Sequence, residues 1–267
     1  MTQKSEIIVL KDKEWLERQK IAGRVVAKAH QEIYAMLKGT ASGLTLAALN
    51  SAVEDLIRRN NCVPTFLGYR GFPASICASM NNELVHGIGT RNIQLKNGDV
   101  LKVDIGATFE GAIGDCAVTY IYGKAKNPEV VRMLVSCQDA LYDAISLVEP
   151  GHRIGELGKA IWERAKGDGF GVIVDYGGHG IDENKLHADP FISNKSSSND
   201  GVIIQPGMSI AIEPMFVLGK NIRTKVLTDK WTVITHDIGC HFEHSITLDE
   251  EGNRHIITDH GISAKEY

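Results

Sequence analysis

Apolar residues recur at helical spacing near the start of the chain. Trp15, Ile21, Val25, Ala29, Ile33 and Met36 fall three, four or six residues apart. That spacing gathers side chains on one face and predicts a helix over 12–37, with Gly39 as its stop. A second run, Leu46, Leu49, Val53, Leu56 and Ile57, starts behind Thr45, a suitable N-cap, and ends at Asn60-Asn61. A loop rich in glycine and aromatic residues follows from Pro64 to Pro73, and short strands dominate from Ser75 to Tyr122. Pro128 suits the first turn of a third helix carrying Val131, Leu134, Val135, Leu141, Ile145 and Val148. Pro150-Gly151 breaks it, and a fourth helix covers about Ile154 to Ala165. From Gly171 the pattern returns to strands and turns, with the serine-rich stretch Ser193 to Gly201 expected as an exposed loop.

Helix, glycine stop, helix and strand therefore occur twice, with Gly39 and Gly151 offset by about 112 residues. The echo suggests two related halves enclosing a site. Without a linker between them, residues 1–267 are expected to form a single catalytic domain, with 1–10 as a short tail or edge segment. The chain is 43% hydrophobic and 23% charged, as globular proteins are. Its net charge of −4 gives no overall attraction to DNA or an acidic membrane. No apolar run approaches the roughly 18 residues of a membrane span, and the first residues do not read as a signal peptide. Five widely spaced cysteines without a C-x-x-C pair predict neither a disulfide framework nor a zinc ribbon. A reducing cytoplasm is the expected location.

The chemistry starts at Leu101-Lys102-Val103-Asp104-Ile105, where Asp104 occupies the polar phase of a strand. Gly114-Asp115-Cys116-Ala117-Val118 is its antiparallel partner. A turn centred on 110/111 sets Asp104 opposite position 117, with Asp115 two residues away on the same face. A turn centred on 109/110 sets the aspartates directly opposite. Both registers put two carboxylates on one side, where like charges repel unless a cation lies between them. Two surface aspartates beside a turn are the plainer alternative.

His179 sits among Gly177, Gly178 and Gly180, which allow close approach of backbone and ligand. Glu213 closes the alternating stretch from Ser209, and His241, Glu243 and Ser245 share a face opposite Phe242 and Ile246. A glutamate inside an apolar strand needs a partner, either a basic side chain or a metal. Two Asp, two Glu and one His carry charge −4, which two divalent cations would balance. The oxygen-rich set suits Mn, Fe, Co or Mg, and imidazole admits Zn. Paired cations would activate a water and polarise a carbonyl. P-loop, H-E-x-x-H and G-x-S-x-G motifs are absent from the sequence.

In order and local context, Asp104, Asp115, His179, Glu213 and Glu243 resemble the five metal ligands of the methionine aminopeptidases and the wider pita-bread group. Phe66 to Pro73 resembles the family's methionine-pocket loop, Ser75 to Ile88 its segment with a catalytic histidine, and Asp229 to Val233 its late tryptophan strand. The likeness covers roughly residues 12–250. It implies an α+β pita-bread fold: two pseudo-symmetric αβ halves, a central curved antiparallel sheet and outer helices. It also implies removal of the initiator methionine from nascent polypeptides, with a small second residue preferred. Two divalent metal ions per chain (Co, Mn, Fe or Zn) and attack by a metal-bridging hydroxide are expected with it.

By the same resemblance, Asp104 and Asp115 hold one metal, His179 and Glu213 the other, and Asp115 and Glu243 bridge. Glu213 handles the proton, His187 polarises the carbonyl, and His86 contacts the scissile amide. Phe66, Tyr69, Phe72, Cys77, Leu186 and Trp231 line the methionine pocket. His241 is expected beside the ligands rather than as a sixth one. The 30 residues between Glu213 and Glu243 leave no room for the helical insertion of type II enzymes. The expected partners are nascent N-termini, with ribosome contact left open, and the family's example implies a monomer. Departures from the family pattern are Asp182, the longer Glu183-Asn184-Lys185 stretch, Asn82, Gly89 and His241. The competing readings are a prolidase-like dipeptidase and a binding module that has lost catalysis.

Overall fold

The computed structural model describes residues 8–39 and 43–267; the first seven residues of the expected tail lie outside that description. Helix α1 spans Lys13–Lys38, with the Asp12 carboxylate accepting from the Trp15 amide at its start. Helix α2 spans Leu46–Arg59, capped as expected by the Thr45 hydroxyl. The strands that follow are β1 (Val63–Pro64), β2 (Ile76–Met80), β3 (Glu83–Val85), β4 (Val100–Phe109) and β5 (Ala112–Ile121). A second helix pair, α3 (Pro128–Ser146) and α4 (Ile154–Asp168), opens the second half. There Asn127 caps α3, and left-handed Gly169 ends α4.

The remaining strands are β6 (Gly171–Val172), β7 (Gly177–Asp182), β8 (Lys185–Ser193), β9 (Ser209–Ile212) and β10 (Met215–Val217). After them come β11 (Lys225–Val226), β12 (Val233–Ile234), β13 (Gly239–His241), β14 (His244–Leu248) and β15 (Arg254–Ile256). One sheet joins β1 and β2 to one edge of β4 and β5 to the other; a second runs β15-β14-β9-β7-β8. Two smaller sheets, β13-β10-β6 and β11-β12-β3, complete the set, and all the named pairings are antiparallel. Helix α1 covers β4 and β5, while α3 covers β9, β10 and β13. The apolar faces of all four helices enter one buried cluster. A Cβ on Gly114 would lie 2.8 Å from the Gly23 Cα, so only glycine lets α1 come this close to β5.

The two halves are stitched where β5 meets the passage from β13 to β14. Glu243 N–H donates to Ala117 O at 2.8 Å, and Asp115 N–H donates to the Ser245 hydroxyl at 2.9 Å. The Thr119 hydroxyl donates to His241 O at 2.6 Å and accepts from His241 N–H at 2.9 Å. Backbone groups left over at a break between two sheets are thereby satisfied.

Candidate metal centre and its cavity

The β4–β5 hairpin turns on Glu110 and Gly111, with φ of 45° and 83°. Two left-handed central residues are what a tight two-residue hairpin requires. The register that follows sets Asp104 opposite Ala117 and Asp115 opposite Gly106, the first of the two expected. The two carboxyl groups lie within hydrogen-bonding reach of each other.

Neither glutamate lies inside a strand, which corrects the sequence expectation. Glu213 falls between β9 and β10, and Glu243 between β13 and β14. β9 and β14 pair in the five-stranded sheet, β10 and β13 in a three-stranded one. Both glutamates thus stand at the corner where a strand pair changes sheets. Both residues line the cavity. His179 is on β7, its Nδ1 at 3.0 Å from Gly180 O. That contact puts the proton on Nδ1 and leaves the Nε2 lone pair facing inward. Nε2 lies 3.8 Å from Asp115 Oδ2 and 3.7 Å from Glu213 Oε1. His241 Nε2 lies 3.4 Å from Glu213 Oε2 and 3.9 Å from Glu243 Oε2.

These distances would fit ion pairs, but burial disfavours the charged imidazolium. Burial lowers both His179 and His241 to about 3. Burial first, and mutual repulsion after it, push Asp104 and Glu243 well above the ordinary carboxylate range. Glu213 is raised the same way by burial and by Asp115. Burial raises Asp115 to about 7 against the lowering effect of its contact with Asp104. The group therefore holds four carboxylates with no ammonium or guanidinium against them.

Among the described residues, Asp104 Oδ1, Asp115 Oδ1 and Glu243 Oε1 are buried without a hydrogen-bond partner. An unsatisfied buried acceptor costs about 1–3 kcal/mol, more when charged. Candidate ligand atoms of Asp115, His179 and Glu243 lie within 4.8 Å of one another, as do those of Glu213, His241 and Glu243. Orphaned oxygens, clustered carboxylates and a correctly tautomeric imidazole fit divalent cations, which would remove both the repulsion and the unmet acceptors.

The cluster forms the floor of a cavity of about 180 Å³. Phe66, Tyr69, Phe72, Cys77, Leu186 and Trp231 all line it, as do His86 and His187. Phe72 meets Trp231 edge-on at 5.2 Å. His86 takes φ 60°, with its ring edge-on to Tyr176 at 5.8 Å. His187 stands on β8, its ring 4.5 Å from that of His179 and its Nδ1 2.7 Å from the Tyr69 hydroxyl. All the residues singled out in the sequence thus meet at one cavity.

The unusual Asp182–Lys185 stretch leaves that arrangement intact. Its extra length is taken up in the β7–β8 turn, where Asn184 adopts φ 54° and donates its N–H to Gly111 O at 2.9 Å. Asp182 is tied to the buried Lys11 ammonium, and Glu183 lies 3.6 Å from Arg18. Asn82 and Thr235 bond each other's backbone carbonyls.

Three residues escaped the sequence reading. Asn194 lies in the serine-rich stretch expected to be exposed, yet it is fully buried. Its amide reaches Glu213 O at 3.1 Å and the carbonyls of Ile173 and Tyr176 at 3.4 Å. Nothing in a polar run distinguishes such a residue. Lys102 is buried, donating to Asn81 O at 2.7 Å, with burial lowering it to about 7. Its position two residues before Asp104 on one strand face was the available signal. Arg70 lines the cavity mouth. Among the described residues, no helix is long and apolar enough to cross a membrane.

The family model described as metallopeptidase family M24 matches residues 17–250. The chain is 39% identical over 248 residues to the methionine aminopeptidase of Mycoplasma capricolum, covering 92% of this chain and 96% of that one. It superposes on the methionine aminopeptidase structure from Thermotoga maritima with TM-score 0.89 and 35% identity, covering 95% of this chain and all of that one. The prolidase of Pyrococcus furiosus shares the fold at TM-score 0.70, but with 22% identity over only 65% of its own length.

Proposed function

This chain belongs to metallopeptidase family M24, and on that premise we propose that it acts as a type I methionine aminopeptidase, a hydrolase that removes N-terminal methionine. The observation that carries this is the floor of orphaned carboxylate oxygens beneath an apolar, aromatic-walled cavity of side-chain size. A metallopeptidase binds divalent metal. Asp104, Asp115, His179, Glu213 and Glu243 are the residues that would hold it, as two ions of Co, Mn, Fe or Zn. Bound there, such cations supply an activated water and polarise the carbonyl of the first peptide bond.

The remaining work falls to side chains of this chain. Glu213, which lines the cavity floor, would as a carboxylate accept the proton of the attacking water and return it to the leaving amine. The Tyr69 hydroxyl engages His187 Nδ1, leaving Nε2–H free to stabilise the developing oxyanion. His86 contacts the scissile amide. Phe66, Tyr69, Phe72, Cys77, Leu186 and Trp231 form the methionine pocket, whose rings and thiol suit a flexible thioether. His241 stands between Glu213 and Glu243 with its Nε2 buried and unbonded, placed to orient either carboxylate after a small shift.

Substrates are then the N-termini of nascent polypeptides with a small second residue, met in the cytoplasm by a single catalytic domain working as a monomer. Metal analysis together with hydrolysis of Met-Gly-Met against X-Pro dipeptides tests the reading. Bound divalent metal with cleavage confined to Met-Gly-Met is expected. Cleavage confined to X-Pro dipeptides would assign a prolidase, and no metal or turnover a binding module. Equal cleavage of Leu- and Met-initiated peptides would remove the pocket assignment.

A further inference from the structure

One charged cavity residue has no part in that chemistry. Among the described residues, Arg70 is the only lysine or arginine lining the cavity. It is exposed and, among the described residues, no carboxylate lies within ion-pair distance of it. Its backbone is held at φ 49°, between Gly68 at 85° and Gly71 at 88°. An arginine adopts that left-handed region only under constraint. Here the constraint is a tight turn closed by Gly68 N–H to Phe72 O and Phe72 N–H to Tyr69 O, both 2.9 Å. The loop thus fixes where the side chain starts. Its guanidinium lies 5.4 Å from the Tyr69 ring, the Tyr69 ring 5.4 Å from that of His187, and the His187 ring 4.5 Å from that of His179.

We propose that Arg70 is a specificity-determining residue that engages a carboxylate on the substrate peptide, carried one to three residues beyond the scissile bond. The inference rests on the aminopeptidase reading of the cavity. In that reading the first residue lies at the buried end and the chain leaves past His187 and Tyr69. An extended peptide advances about 3.4 Å per residue, so its next few residues cover the two ring-to-ring steps and the last step from the Tyr69 ring to the Arg70 guanidinium. The guanidinium offers a planar fork that matches a carboxylate. With cations offsetting the carboxylates of the cavity floor, the Arg70 guanidinium remains the unpaired charge at its rim, and it complements a peptide carboxylate a few residues on. Arg70 sits away from the reacting carbonyl, so its effect belongs to binding.

The test uses metal-loaded protein and the C-terminal amides of Met-Gly-Asp-Gly, Met-Gly-Asn-Gly and Met-Gly-Lys-Gly. At low salt the Asp peptide should show a KM about fivefold below that of the Lys peptide, the scale of a partly exposed charge pair, with kcat little changed. The ratio should shrink in high salt, fall to about one in Arg70→Gln and invert in Arg70→Glu. Lys28→Gln, an equal charge change on the outer face of α1, should retain it. Calorimetry with Gly-Asp-Gly and Gly-Lys-Gly amides measures the same preference without turnover. If the neutral Asn peptide is not cleaved by metal-loaded protein, the aminopeptidase reading fails, and calorimetry still decides Arg70. Equal affinity for the acidic and basic peptides, or an acidic preference that survives Arg70→Gln, overturns the proposal.

Discussion

Strand β5 and the β13–β14 passage each present two consecutive buried polar residues to opposite sides, and the two sides behave differently. Asp115 and Glu243 face the cavity; Cys116 and His244 face a second buried cluster with His30 and His260. Candidate ligand atoms of Cys116, His244 and His260 also lie within 4.8 Å of one another. Yet that side is satisfied. The Cys116 thiol donates to Glu243 O at 2.8 Å, and His244 meets Thr258 at 3.0 Å and Tyr142 at 3.3 Å. His30 meets the Tyr120 hydroxyl and Cys116 O, both at 2.9 Å, and His260 Nδ1 accepts from Ile262 N–H at 2.9 Å. Thiol, hydroxyl and imidazole can each donate or accept, so the cluster closes on itself. Ionised carboxylates only accept, so the cavity side has to take cations or protons from outside. Clustering alone does not identify a metal centre; unmet acceptors do.

The largest expected effect breaks the cavity side. Asp104→Ala, Asp115→Ala, Glu213→Ala or Glu243→Ala should lose bound metal and turnover on the order of 10³-fold or more, as several kcal/mol of carbonyl polarisation disappears. Metal stoichiometry with kcat/KM checks this. Retained metal and a near-normal rate in any of the four would remove that residue from the ligand set. His260→Leu, on the other side, should leave metal content intact while lowering stability by about 1–3 kcal/mol.

The next effect sharpens the contrast through pH. Burial lowers His30 to about 3 and His260 to about 4, below the unfolded value of about 6.5. For a base with a lowered folded pKa, the unfolded chain binds the proton more readily. The stability is therefore present above pH ~6.5 and lost as pH falls toward the folded values, at about 1.4 kcal/mol per unit for each histidine. Denaturant unfolding of metal-loaded protein from pH 7.5 to 5 should show that slope, and His30→Gln should reduce it. Equal slopes in variant and parent would mean that His30 does not carry the acid sensitivity. The smallest effect concerns Asn194, whose amide is used and whose Oδ1 is orphaned. Asn194→Ala should free the Glu213 carbonyl and lower kcat about tenfold, as outer supports of ligands do, with the metal retained. An unchanged kcat would show Glu213 to be held without it.

Much of the fold is legible because its signals are local. The α1 and α3 patterns, the Gly39 stop, the Thr45 cap and Pro128 in a first turn all act within a turn of the residues they govern. The β4–β5 register reduced to two choices, and Glu110-Gly111 decided between them by accepting left-handed backbone. Asp104 and Asp115 were legible for the same reason. Glu213 and Glu243 were expected within continuous strands, because alternation continues through them. That each marks a change of sheet depends on what pairs alongside, which alternation does not record.

By itself the sequence determined which groups this protein has to offer, where its helices begin and end, and that its five candidate ligands resemble one family's set. The tertiary structure alone decided which of those groups are left wanting. Asp115 and Cys116 are neighbours in the chain and equally hidden from water. Asp115 keeps an orphaned oxygen while Cys116 is bonded because the two face opposite sides of the strand, and Cys116 there meets groups as remote in sequence as Glu243 and His30. Hydrogen-bond satisfaction is a property of the assembled surroundings, since the desolvation that makes an unmet acceptor costly occurs only when distant segments close over it.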